Sequence, residues 1–188
     1  MLGDYARNIP HSIFALIDIH YPGFVLHKGL LESTSDMRVK KPKESYYAVQ
    51  NTISIFDDRF KRIKNPDYHF DIPAKSPDSI KTAADNNGII LYAFQEENST
   101  LPLFTVWIGD QRPAHDFPVV PVQITFKNLK FHDPVCVDLL SGLVFDIPKE
   151  FWFADNTICT FKRLPIYDSP VLVAERRLIV MKDSNESL

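Results

Sequence analysis

The stretch SIFALIDIHYPG, residues 12–23, leads into the loop HKGLLESTSD at 27–36 and then into KPKESYYAVQNTISIFDDRF at 41–60. From Ile13 to Ile19 the apolar residues are interrupted by Asp18 alone. A near-continuous run of this kind predicts a strand covered on both faces, as in a parallel sheet, more than a half-wet antiparallel strand. Pro22-Gly23 stops it. The connection from Phe24 to Lys41 is long for a compact domain, and long loops are often functional. Pro42 stands where a helix start tolerates a missing N–H. Tyr46, Val49, Ile53, Phe56 and Phe60 then recur at spacings of three and four. That period predicts an amphipathic helix over 42–60 that buries this face. Asn65-Pro66 marks a boundary, so residues 1–64 read as one β-loop-α unit; residues 2–8 either close a preceding helix or start a short one, which Pro10 ends.

Beyond Tyr68 the period changes. Runs rich in β-branched and aromatic residues fall at 68–72, 80–84, 89–94, 103–108, 120–126, 135–139, 143–147, 157–163 and 171–181. Turn signals separate them: Asp85-Asn86-Asn87-Gly88, Gly109-Asp110, Ser141-Gly142 and Asp168-Ser169-Pro170. Short strands at this rhythm, with no helical stretch between them, predict an antiparallel β-sandwich over 65–188. The clearest hairpin joins 135–139 to 143–147 around Ser141-Gly142. The fold class is therefore mainly β: an antiparallel sandwich preceded by a partial β-loop-α unit.

Composition narrows the function. The chain has 188 residues, 45% hydrophobic and 12% aromatic, with a net charge of −3. Those values suit a folded globular protein and argue against an electrostatic nucleic-acid binder. The basic cluster Arg38, Lys40, Lys41 and Lys43 is short and reads as a solvated loop. Cys136 and Cys159 have no metal-ligand spacing and lie in alternating apolar runs, so they read as buried free thiols. No apolar run is long enough to predict a membrane span. MLGDYARNIPHS has no basic region followed by an apolar one and does not read as a secretion signal. Sequons stand at Asn98 and Asn185.

The order strand, loop, helix, with Gly29-Leu30-Leu31, Asp36, Lys41-Pro42 and Tyr46-Tyr47-Ala48-Val49-Gln50, resembles the eighth and last βα unit of (β/α)8-barrel glycoside hydrolases of the clan-A type. In those enzymes a small β-sandwich often follows. VWIGDQRP (106–113), VDLLSGLVFDIP (137–148) and LPIYDSPVLVAE (164–175) look like that sandwich. The resemblance implies a chain that carries the end of a TIM barrel and an accessory domain. It also implies that the two catalytic carboxylates, which the family places after its fourth and seventh strands, are not in this chain. Barrel sites lie at the C-terminal ends of the strands. That position here is Asp18-Ile19-His20-Tyr21, so His20 and Tyr21 are the implied sugar contacts, although the family more often has a Trp there. His27 and Lys28 in the following loop are candidates to reach a sugar hydroxyl. Carbohydrate is the implied partner, no cofactor is expected, and self-association through the incomplete barrel is a further expectation.

The residues themselves support no other chemistry. Asp57 and Asp58 are adjacent and point about 100° apart on a helix, which suits a solvated face. Asp18 is the acid of most interest, because a carboxylate within an apolar run must be paired or protonated. Asp18 and His20 share one strand face, but two ligands do not make a zinc site. No phosphate-loop, dinucleotide or nucleophile-elbow motif is present. Trp107, Trp152, Phe151, Phe153 and Tyr167 are available to stack on a sugar, yet large aromatics in all-β domains mostly carry core burial. A self-contained carbohydrate- or protein-binding module is the alternative reading.

Overall fold

The computed structural model of the chain describes residues 1–72, 88–109 and 118–179. The run 80–84, the turn 85–87, Asn185 and the tail 183–188 lie outside the described residues. The chain divides into two units: Met1–Ser54 with Leu139–Gly142, and Ile55–Asp138 with Leu143–Leu188.

The first unit starts with helix α1 (Leu2–Ala6), followed by β1 (Ile19–Tyr21), β2 (Phe24–Leu26), β3 (Leu31–Ser33), β4 (Val39–Pro42) and helix α2 (Glu44–Ile55). β1 and β2 form an antiparallel hairpin, and β3 and β4 form a second one with an irregular register between Glu32 and Ser33. The apolar run before β1 departs from expectation. No strand forms over 12–18; Ile13, Phe14 and Leu16 are exposed, Phe14 to 69%. A strand of that composition needs neighbours on both sides to take its N–H and C=O groups and to cover its faces. Among the described residues Leu31 alone does so, in a single parallel bridge to Ile17. Its N–H donates to the Leu16 carbonyl at 2.9 Å, and its carbonyl accepts from the Asp18 N–H at 3.0 Å.

Helix α2 is shorter than its period predicts, and its buried side differs. Ile53 is 61% exposed, whereas Thr52 and Ile55 are buried. Period reveals that a helix has an apolar face; it does not reveal whether anything covers it. Phe56 and Phe60 are buried as expected, but beyond the helix end. Asp57 ends the helical path by accepting the Arg59 N–H at 2.9 Å, an Asx-type turn that competes with helical pairing. The segment 139–142 belongs to this unit through Asn51, whose amide donates to the carbonyls of Leu139 and Leu140. Gly142 has φ +77°, and a Cβ there would lie 2.8 Å from the Asn51 side chain.

The second unit is an antiparallel, sandwich-like β fold. Its strands are β5 (Phe60–Arg62), β6 (Tyr68–Asp71), β7 (Ile89–Glu96), β8 (Pro102–Ile108), β9 (Val120–Lys127), β10 (Pro134–Asp138), β11 (Val144–Asp146), β12 (Trp152–Ala154), β13 (Ile158–Ile166) and β14 (Val171–Glu175). One sheet runs β11-β10-β14-β8-β7-β5 and the other β12-β13-β9-β6. The expected hairpin is present as β10–β11, with Cys136 opposite Phe145. β5 and β12 were not visible as strands in the sequence.

The two sheets share one core. β9 alternates, with Val120, Val122, Ile124 and Phe126 buried, as a strand with one wet face requires. Phe104 from the first sheet meets Phe126 and Phe161 from the second, with ring centroids 4.8 and 5.5 Å apart. Trp152 lies nearly parallel to Phe161, so of FWFADN it is Trp152 that faces inward while Phe153 stays exposed. The central strands β8 and β14 are buried on both faces. Glu175, at the end of β14, is buried and accepts the N–H groups of His132 and Asp133 at 2.5 and 3.1 Å. Cys136 and Cys159 are free and buried, and burial pushes both thiols up to about 12. They are packing residues, as the sequence suggests. No helix among the described residues is long and apolar enough to cross a membrane.

Candidate functional site

Asp18 precedes β1, and its carboxylate is only 1% exposed. The local chain is built around it. Lys43, one residue before α2, places Nζ 2.5 Å from Oδ1. The Gly29 N–H donates to the same oxygen at 3.0 Å. His27 Nδ1 stands 3.5 Å from Oδ2. The Asp18 carbonyl accepts the Ser33 hydroxyl at 2.8 Å. One carboxylate thus ties together β1, the loop before β3 and the start of α2. Burial pushes this carboxyl up, but the Lys43 ammonium, the Gly29 amide and His27 outweigh it and hold the group below its ordinary value.

Gly29 is required by space. A Cβ there would lie 2.2 Å from the Ile17 carbonyl carbon and 2.3 Å from the Asp18 nitrogen. No rotation of a side chain relieves a clash with backbone, so only glycine lets the loop approach closely enough to donate to Asp18.

The four candidate contacts divide in two. His20 is partly buried, and its Nε2 lies 3.0 Å from the Ser33 carbonyl. A carbonyl only accepts, so this nitrogen carries the proton and the ring is held in place. Tyr21 is 46% exposed. It is followed by Pro22 and by Gly23 at φ +88°, a pair suited to a tight turn with positive φ at its second central position. The turn sets Tyr21 opposite Phe24 in the β1–β2 register. Their rings stack with centroids 4.9 Å apart and planes 15° from parallel. Phe24 is itself 59% exposed, so the pair is an aromatic stack open to solvent. His27 is exposed and reaches Asp18 with Nδ1, and Lys28, next in the chain, is exposed.

Sequence reasoning missed Phe24 and Lys43. The signal for Phe24 was Pro22-Gly23 between two apolar triplets, which reads as a hairpin as well as a stop. Lys43 was grouped with Arg38, Lys40 and Lys41. Those three are exposed and pair with Asp36 or Glu32, whereas Lys43 is largely covered.

The arrangement suits binding more than acid–base chemistry. Asp18 is buried and fully engaged. Asp57 is exposed and paired with Arg59. Among the described residues no group of three potential metal ligands converges. The exposed Tyr21–Phe24 stack offers an aromatic face of the kind that packs against the C–H face of a sugar ring. Comparison with protein-family models, with curated proteins and with solved structures finds no match to this chain.

Proposed function

We propose that this chain supplies the last βα unit and the accessory β-sandwich of a (β/α)8-barrel glycoside hydrolase, and that it is not catalytic alone. The observation that carries the reading is the distribution of uncovered apolar side chains. Ile9, Ile13, Phe14, Leu16, Val39 and Ile53 are exposed in the first unit. So many large apolar side chains left in water by one small unit favour a surface that other elements cover. Further barrel strands and helices would cover it. Tyr21 and Phe24 then stack on a sugar ring, with His27 and Lys28 toward its hydroxyls and His20 holding β1 in register. Retaining glycosidases need two carboxyl groups about 5–5.5 Å apart, and the buried, lysine-paired Asp18 is not suited to either role.

Two assays test the reading. An NMR titration with neutral oligosaccharides should perturb Tyr21, Phe24 and His27, and Tyr21→Ala should remove the response. Aryl glycosides should not turn over. Turnover abolished by a change at Asp18 or His20 would require a different active site and end this proposal.

A second reading is a self-contained binding module. The complete aromatic core of the second unit favours it. The two diverge in the reading frame upstream: further βα units with an Asn-Glu pair are expected for the barrel enzyme and not for the module.

A further inference from the structure

The second unit holds a cleft of about 340 Å³ between β10–β11 and the outer part of β13. Its apolar lining is Phe145, Ile147, Phe151 and Leu164. Two consecutive cations, Lys162 and Arg163, line it as well. Consecutive residues of a regular strand point to opposite faces, so two neighbouring cations at one cleft need an explanation. β13 supplies it. Against β9, Phe161 pairs with Ile124 and Leu164 pairs with Val122, so three steps on one strand match two on the other. That is a β-bulge, a device that re-aims side chains. Phe161 and Leu164 both stay in the core, and the extra residue leaves Lys162 and Arg163 outside it. Arg163 has φ +56°, a conformation glycine takes easily and a side chain takes reluctantly.

The charges at the cleft do not cancel. Among the described residues neither Lys162 nor Arg163 forms an ion pair with a carboxylate. Each instead lies over an aromatic ring, Lys162 Nζ 5.9 Å from the Phe153 centroid and Arg163 Cζ 5.8 Å from that of Phe151. The one acid of the lining, Asp146, is paired with Arg176 at 2.7 Å, which also holds Asp133. Two cations without a carboxylate partner and an apolar lining thus share a space at the small end of ligand pockets.

We propose that this cleft binds a single-ring organic acid. Its carboxylate sits between the Lys162 ammonium and the Arg163 guanidinium, which can hold it with two parallel N–H donors. Its ring lies against Phe145, Ile147 and Leu164. The apolar lining strengthens the charge contact by excluding water. Two sources share this chemistry: a uronic acid residue and an aromatic carboxylate. The site lies wholly within the second unit and does not depend on the barrel reading.

Calorimetric titration of the whole chain at low ionic strength with glucuronate, benzoate and glucose tests it. Binding of either acid, with glucose bound at least about tenfold more weakly, supports the site, and the acid preferred names the source. Arg163→Gly keeps the positive φ and removes the guanidinium. It should weaken acid binding by about tenfold or more while the melting temperature holds or rises. Lys162→Gln should weaken it in the same direction. Amide shifts on acid binding should centre on 145–151 and 162–165. Failure of both acids to bind, glucose bound as tightly as glucuronate, or unchanged affinity in Arg163→Gly would each overturn the proposal.

Discussion

The two units solve the same problem in opposite ways. The second buries its aromatics against one another: Phe104, Phe126, Phe131 and Phe161 are all but inaccessible, and Phe104 meets each of the other three. The first is organised around one buried carboxylate and leaves much of its apolar surface in water. Apolar burial is non-directional and scales with area, so a sheet pair with a shared interior tolerates irregular edges. An ion pair is directional, and it stabilises only while each partner keeps the other. The difference should show in how each unit responds to substitution.

The largest effect is expected in the aromatic core. Phe104→Ala removes a fully buried ring at the junction of the two sheets and should destabilise by about 3–5 kcal/mol in a denaturant titration. A loss below about 1 kcal/mol would mean that this core is not shared between the sheets.

Lys43→Met comes next. It leaves Asp18 buried without its cation, and breaking such a pair costs about 3–5 kcal/mol. Lys43 is a quarter exposed, so the low end is expected, confined to probes in the first unit. Acid sensitivity should change with it. Because the folded-state value of Asp18 is depressed, its contribution is complete above the ordinary carboxylate range near pH 4 and is lost as pH falls through the depressed value. Fluorescence of the first-unit tyrosines during acid titration should show this loss in the native chain. The loss should shrink in Asp18→Asn; an unchanged acid profile there would remove Asp18 from its central place.

A smaller change of opposite sign is expected at Thr105. Its hydroxyl is buried on β8 with no hydrogen-bond partner among the described residues. Thr105→Val replaces it with a methyl of similar shape and should stabilise by roughly 1 kcal/mol. A destabilisation would show that the hydroxyl has a partner. The smallest effect is expected at Ile53, which is mostly exposed. Ile53→Ala should fall within about 0.5 kcal/mol; a cost of several kcal/mol would mean that this face is covered in solution.

The sequence exposes the sandwich far better than the first unit, for a physical reason. β6 to β11, β13 and β14 are legible because alternation, β-branched content and turn residues such as Ser141-Gly142 are local properties. Ile53 and the run 13–18 are misjudged because composition shows what a segment would bury, and burial depends on what else is present. The Asp18–Lys43 pair spans 25 residues, so the need for a partner is readable from Asp18 while its identity is not. The Tyr21–Phe24 stack depends on reading Pro22-Gly23 as a hairpin turn. The Lys162–Arg163 bulge leaves no signal in the sequence, since Arg163 takes a positive φ without being glycine.

Hydrogen exchange at two segments tests the contrast between the units most directly. Phe14–Ile17 has a single bridging neighbour in Leu31, whereas Val135–Val137 pairs with β11 on one side and β14 on the other. The amides of Phe14–Ile17 should exchange through local opening, well before those of Val135–Val137, which should open only with the sandwich as a whole. Equal protection of the two segments would contradict this: the run before β1 would then have a full set of partners in this chain.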